Sequence, residues 1–138
     1  DISEVGVAKA KRLAQENHVV VDFAIAGCDD FAWRPNHYDG VAAIFVQFAD
    51  PAMRERIFQQ THKSLKPGGI FILQGYTPKQ LEYKTGGPSL IEHLYTEELI
   101  RGLAKPFQIL DLCCYEKELN EGARHAGMSA LLGLVAKK

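Results

Sequence analysis

Residues 38–76 read YDGVAAIFVQFADPAMRERIFQQTHKSLKPGGIFILQGY, and this stretch decides the fold. A short apolar run, Val41 to Val46, is followed by a helical segment, a Pro-Gly-Gly turn, and a second apolar run, Ile70 to Leu73. Neither run alternates polar with apolar residues, which predicts strands covered on both faces, as in a parallel sheet. Parallel neighbours need a crossover, and the residues between the runs supply one, so the spacing predicts a right-handed β-α-β unit.

The crossover helix has readable ends. Asp50 can accept from a free backbone N–H as the N-cap, and Pro51 suits the first helical position. Met53, Ile57, Phe58, Thr61 and Leu65 fall near one face, with Arg54, Glu55, Gln59 and Lys63 on the other. Lys63 and Lys66 sit where cations suit the helix dipole. Pro67 stops the helix, and Gly68-Gly69 allows a turn.

Working outward, 138 residues suffice for one domain with a proper core, residues 1–138. The 46% hydrophobic and 24% charged fractions are those of an ordinary globular chain. The net charge of −1, without a basic block, argues against nucleic acid as a partner. No apolar run approaches the roughly 20 residues of a membrane helix, and no signal peptide is visible. The chain opens with Asp1-Ile2-Ser3 rather than Met, which admits processing or truncation. Of three cysteines, Cys28 stands alone and Cys113-Cys114 are adjacent; this fits free thiols in a reducing, cytoplasmic compartment, the adjacent pair being buried on opposite faces of a strand. No zinc-ligand spacing occurs.

Before the central unit, Ser3 and Glu4 open a helix running to about Gln15, and Val19 to Ile25 reads as a strand. Ala26-Gly27-Cys28-Asp29-Asp30-Phe31 is then the loop at that strand's C-terminal end, where ligands sit in open α/β sheets. After the unit, Gln74 to Tyr95 (QGYTPKQLEYKTGGPSLIEHLY) lacks periodicity and reads as a binding loop, or alternatively as a packed connection. Thr96 caps a helix beginning Glu97-Glu98, and Pro106 ends it. Phe107–Tyr115 and Met128–Ala136 read as strands around the polar loop Lys117–Gly127, an antiparallel pair closing an otherwise mostly parallel sheet.

Glycine-rich dinucleotide, Walker and nucleophile-elbow motifs are missing from these 138 residues. Of the five histidines, His62 lies on the crossover helix and reads as structural, while His93 and His125 lie beyond strand ends and are the better candidates for binding or proton transfer. Tyr76, Tyr83 and Tyr95 can pack over a ligand or line the core.

Several of these pieces together resemble one family. Asp1-Ile2-Ser3 followed by VAKAKRLA is similar to the end of the second strand and the next helix of class I S-adenosylmethionine-dependent methyltransferases. Ala26–Phe31 resembles their third-strand loop, Tyr38-Asp39-Gly40-Val41 their fourth strand, and LKPGGIFILQGY the entry to their fifth. Tyr76-Thr77-Pro78-Lys79-Gln80-Leu81, Thr85-Gly86-Gly87-Pro88, and Glu121-Gly122, His125 and Gly127 are similar to a bacterial subgroup near the tellurite-resistance methyltransferases.

The resemblance implies a Rossmann-like α/β sheet, S-adenosylmethionine as cofactor, and a small-molecule acceptor. It implies that Asp1 binds the ribose hydroxyls and Ile2 packs on adenine. Cys28 supplies a backbone N–H to the adenine edge, and Asp29 substitutes for the acidic side chain that Gly27 lacks. Ile44 and Phe45 face the methionine side, with Phe48 nearby. Tyr76, Gln80, Tyr83, Thr85 and His93 would form the acceptor pocket, with Tyr76, His93 or His125 as proton acceptor.

The family's first strand, its Gly-rich loop and most of its second strand have no counterpart in the sequence. The expectation is therefore an N-terminally truncated fold with impaired cofactor binding. Its bare sheet edge pairs either with Val19–Ile25 or with a second copy, the latter making a homo-oligomer. The alternative is a non-catalytic Rossmann-like fragment acting in protein association.

Overall fold

The computed structural model describes residues 1–120 and 126–138. His125, Glu121 and Gly122 lie outside the described residues. The chain forms two compact units, residues 1–32 and residues 33–138.

In the first unit, helix α1 spans Glu4–Glu16. Ser3 caps it as expected: its Oγ accepts from the Gly6 N–H at 3.0 Å, and Asp1 Oδ1 accepts from the Ser3 N–H at 2.8 Å. At the other end, the Asn17 side chain donates to Leu13 O at 2.8 Å. Val7 and Ala14 are its buried residues. The expected strand Val19–Ile25 does not form a ladder, and Val20 is fully exposed. β-Branched residues favour extended backbone, but a strand also needs a neighbour for its N–H and C=O groups. Among the described residues the backbone finds only isolated bonds instead: the Val19 N–H donates to Ala14 O at 3.0 Å, the Asp1 amino group to Ala24 O at 3.2 Å, and the Ala26 N–H to Asp1 O at 3.0 Å.

The second unit holds a four-stranded sheet of order β1-β2-β4-β3, with β1 Tyr38–Ile44, β2 Leu65–Tyr76, β3 Gln108–Asn120 and β4 Ala126–Lys137. β1 and β2 are parallel neighbours, in register from Gly40 opposite Ile70 to Ile44 opposite Gln74. The crossover between them is helix α2, Pro51–Ser64, with Asp50 Oδ1 accepting from the Met53 N–H at 2.8 Å. β4 runs antiparallel to both β2 and β3. The result is a mixed α/β sheet, with one parallel pairing beside two antiparallel ones.

Four local expectations are corrected. The chain passes from α2 into β2 without a turn, because Leu65 is already extended. Pro67-Gly68-Gly69 instead forms an irregularity inside the strand, pinned by the Gly68 N–H to Lys138 O at 2.9 Å and the Lys138 N–H to Gly69 O at 3.0 Å. The central strands are covered on one face: Phe71, Leu73 and Ala43 are buried, whereas Ile44 is 49% and Ile72 44% exposed. Cys113 and Cys114 are exposed rather than buried, since β3 is an edge strand. Partial burial, then the Glu97 and Cys113 charges, push the Cys114 thiol above its ordinary pKa. Finally, β3 and β4 extend to Asn120 and from Ala126, into the region expected to be a loop.

The core lies between the covered sheet face, α2 and helix α4 (Glu97–Leu103), which Thr96 caps through the Leu99 N–H at 3.1 Å. Phe71 is fully buried, edge-on to Phe58 with centroids 5.3 Å apart and beside Phe107 at 5.6 Å. His62 packs edge-on against Phe107 at 4.9 Å, a structural placement.

Candidate functional site

Beyond the carboxyl ends of β1 and β2 lies an open-mouthed cavity of about 250 Å³ lined by Phe45, Gln47, Phe48, Tyr76, Gly87 and Pro88. This is the edge at which open α/β sheets bind ligands. Phe45 follows β1 with φ of 53°, a left-handed conformation costly for an aromatic residue, while its N–H donates to Gln74 O at 2.9 Å. Its ring stacks on Tyr76 with centroids 4.8 Å apart. Tyr76 is 2% exposed, and a Cβ on Gly87, whose φ is +84°, would lie 2.7 Å from the Tyr76 ring. Tyr76 thus serves as a packed wall of the cavity. Ile44 stays exposed at the end of β1, as does Phe48.

The segment after β2 is fastened to the sheet by its own side chains. It contains helix α3, Gln80–Tyr83, and a 3₁₀ turn, Ile91–His93. Gln80 is 1% exposed; its Nε2 donates to Thr85 Oγ1 and Gly86 O, each at 3.0 Å, and its Oε1 accepts from the Ala130 N–H at 2.9 Å. The Thr85 hydroxyl donates to Met128 O at 2.6 Å. Gln80 and Thr85 therefore anchor the segment to β4. Tyr83 donates through its hydroxyl to Glu116, which Lys79 also contacts. Hydrogen bonds from Lys79 and Tyr83 hold the Glu116 carboxyl below its ordinary pKa, and the bond to Glu116 raises both Lys79 and Tyr83. All three groups are exposed to water, so this cluster contributes little stability.

His93 reaches the cavity wall through Gln47. The Gln47 Nε2 donates to Tyr76 O and to His93 O, each at 2.9 Å, and its Oε1 accepts from the Tyr76 N–H at 2.6 Å. His93 Nδ1 is 2.8 Å from Gln47 O. Arg54, expected on the solvent face of α2, is only 6% exposed. Its Nη1 donates to Glu92 O at 2.8 Å, and its guanidinium lies 5.9 Å from the Tyr95 ring centroid, which gives the buried cation a π face. Tyr95 is 1% exposed, and burial pushes its hydroxyl pKa up to about 12, against a smaller opposing effect of Arg54.

In the first unit, Asp1 and Ile2 lie beside the loop of residues 26–30. A Cβ on Gly27 would be 3.0 Å from Asp30 Oδ2 and 3.9 Å from Ile2 Cγ2. Ile2 is 78% exposed, and Asp1 and Asp29 are exposed. Burial, then Asp29, raise the Cys28 thiol pKa, so its sulfur is not primed as a thiolate.

Sequence reasoning thus named Phe45, Tyr76 and His93, which the structure brings together, and missed Gln47, which joins them. The available signal was an amide side chain immediately following an apolar strand run. It also missed Glu116, whose strand was read as ending one residue earlier.

The sequence pattern of the methyltransferase domain matches residues 1–69. The chain belongs to the methyltransferase-domain family. Among solved structures, the chain is similar to TehB from Haemophilus influenzae, with 14% identity and a TM-score of 0.74, covering 100% of this chain and 48% of that one. It thus spans about half the length of TehB. A SAM-dependent methyltransferase from Methanosarcina mazei gives 17% identity and a TM-score of 0.78, covering 100% of this chain and 79% of the other. The [4+2]-cyclase SpnF gives 18% identity and 0.71, covering 99% and 63%. At these identities the likeness shows the fold alone, and the presence of a cyclase among these structures illustrates why. No curated protein matches the chain. Among the described residues, no helix is long and apolar enough to cross a membrane, and no cluster of His, Cys, Asp and Glu is arranged to hold a metal.

Proposed function

We propose that this domain transfers a methyl group from S-adenosylmethionine to a small-molecule acceptor. The observation that carries the reading is the methyltransferase-domain match over residues 1–69, which takes in the Asp1–Ile2 end, the residue 26–30 loop and the β1–α2 crossover. The residues present suit the adenosine half of that cofactor. Asp1 offers an exposed carboxylate for a ribose diol, and Ile2 offers an exposed apolar side chain for adenine. Cys28 contributes its backbone N–H, with Asp29 beside it. Ile44 and Phe45 serve the methionine side.

When bound, the cofactor supplies an activated methyl group. The chain's own residues contribute placement, which is most of what such a transfer requires. Phe45, Phe48, Tyr76 and Pro88 wall the acceptor's cavity. Gln80, Tyr83 and Thr85 hold the segment that shapes it, and His93 takes a proton from the acceptor, with His125 as the second candidate for that role.

The 138 residues contain no glycine-rich loop for the amino-acid end of the cofactor. Isothermal titration with S-adenosylmethionine is therefore expected to give binding weaker than micromolar for this chain; micromolar or tighter affinity would contradict that expectation.

The partner side of the reading is a second copy of the chain. β1 is terminal in the sheet order, and among the described residues its outer edge carries no ladder, an arrangement that invites strand pairing. Light scattering should then report a mass above the monomer's, and a monomer over a wide concentration range would exclude it. Among the described residues no disulfide forms, which fits a reducing compartment such as the cytoplasm. The rival reading, a non-catalytic association module, is not favoured by the family match.

A further inference from the structure

The cavity beyond β1 and β2 is small, about 250 Å³, and among the described residues no charged side chain lines it. An apolar hole of roughly 150 Å³ admits benzene, and pockets for drug-sized ligands begin near about 300 Å³. The space therefore suits one substituted ring or a fused pair. Phe45, Phe48, Tyr76 and Pro88 give it aromatic and apolar walls, with Gln47 and Gly87 between them.

An anion finds little here. Both hydrogens of Gln47 Nε2 are already bonded, one to Tyr76 O and one to His93 O, each at 2.9 Å. Pro88 has no N–H, and the Phe45 N–H is bonded to Gln74 O. An anion would give up its hydration and meet no cationic side chain.

A cation fares no better, because no carboxylate lines the cavity. Cation–π attraction also needs an open ring face. Phe45 and Tyr76 cover one face of each other, with centroids 4.8 Å apart and planes inclined by 27°. Gly87 lies against the Tyr76 ring as well, since a Cβ there would stand 2.7 Å from it. An uncharged aromatic ring has neither difficulty: it loses little hydration and packs on ring edges as well as faces. The left-handed φ of 53° at Phe45 fits this reading, since backbone conformations of that cost gather at binding and catalytic sites.

We propose that the acceptor taken by this cavity is an uncharged aromatic compound of one or two rings, packed against Phe45 and Phe48. This names the substrate class of the methyl-transfer site and rests on that reading. Phe48 is 64% exposed, so it is the wall residue that can be changed without disturbing the core.

Probes of similar size decide it: benzyl alcohol, benzoate, benzylammonium and cyclohexylmethanol. Each is titrated into the full chain at about pH 7, where the carboxylate and the ammonium are charged. The readout is the amide ¹H–¹⁵N shift of Gln47, Phe48 and Gly87. Benzyl alcohol is expected to move all of these with a millimolar Kd, the strength open to a ligand of so few atoms. Benzoate and benzylammonium are expected to bind at least about tenfold more weakly. Cyclohexylmethanol is expected to bind about two- to tenfold more weakly, the worth of an aromatic contact beyond its area. Phe48→Ala should weaken benzyl alcohol by a similar factor and leave the amide shift of buried Phe71 unchanged.

Benzyl alcohol that leaves these amides unmoved at tens of millimolar overturns the proposal. Benzoate or benzylammonium binding as tightly overturns the exclusion of charge, and cyclohexylmethanol binding as tightly overturns the aromatic assignment. A folded Phe48→Ala with wild-type affinity overturns the placement against Phe48. The wild-type titrations decide the ligand class even if the variant fails to fold. No probe is a methyl donor or needs one, so failure of S-adenosylmethionine to bind is a separate result.

Discussion

Replacing Gly75 by Ala is expected to destabilise the domain by about 3 kcal/mol, the upper end of what overpacking a dense core costs. In an exposed strand the same change would stabilise, since glycine loses more backbone entropy on folding. Here the new Cβ would lie 2.5 Å and 2.6 Å from two Tyr95 ring carbons and 2.8 Å from Gln47 Oε1. Neither neighbour can yield easily. Tyr95 is 1% exposed, with Arg54 over its ring, and Gln47 is 4% exposed and bonded to both polar groups of Tyr76. Moving Gln47 would weaken its 2.6 Å bond from the buried Tyr76 N–H and one of the bonds to Tyr76 O, which the Tyr95 N–H also reaches at 2.9 Å; a hydrogen bond of this kind contributes about 1 kcal/mol. The melting temperature of Gly75→Ala should fall by roughly 10 °C. A variant that melts with the wild type would mean that the Gln47 seat is not filled as described.

Raising the pH from 9 to 11 is expected to weaken the fold through Tyr95. Its hydroxyl titrates at about 12 in the folded chain, above the model-compound value of 10.0. Burial disfavours the phenolate, and the nearby Arg54 offsets this only in part. A tyrosine whose pKa is raised by folding gives stability that is complete below about pH 10 and is lost as pH climbs toward 12, because the unfolded chain releases the proton first. Two pKa units correspond to about 2.7 kcal/mol over the whole window, of which roughly half is gone by pH 11. Tyr83 and Tyr115 are shifted in the same direction and add to the trend from more exposed positions. Urea unfolding at the two pH values, in the wild type and Tyr95→Phe, separates them. The variant should lose less stability than the wild type, and equal losses would show that Tyr95 is not the group responsible.

The β1–α2–β2 unit was legible because its signals are local: two apolar runs, Asp50-Pro51 at the helix start, and a length that only a crossover explains. The misreadings concern partners distant in the chain. Val19–Ile25 has strand composition, yet composition does not say which chain will pair with it. Pro67-Gly68-Gly69 reads as a turn until Lys138, at the other end of the sequence, takes its hydrogen bonds. Glu116, Lys117 and Glu118 look like loop residues but belong to an edge strand, where charges are tolerated and discourage further pairing. In the site, Tyr76 and His93 were visible as residue types, whereas Gln47 was not. Its role depends on a notch at Gly75 and on bonds spanning residues 47, 76 and 93, which no window of sequence contains.

The central claim is that this methyltransferase-family chain carries a site for S-adenosylmethionine. An amide ¹H–¹⁵N titration with S-adenosylhomocysteine, carried to millimolar concentration, tests it directly. The expected result is a progressive shift of Ile2, Cys28 and Asp29, and likewise of Ile44 and Phe45, without saturation at micromolar ligand. Unchanged spectra at all of these residues, or shifts confined to the exposed β3 edge around Cys113 and Cys114, would contradict the account.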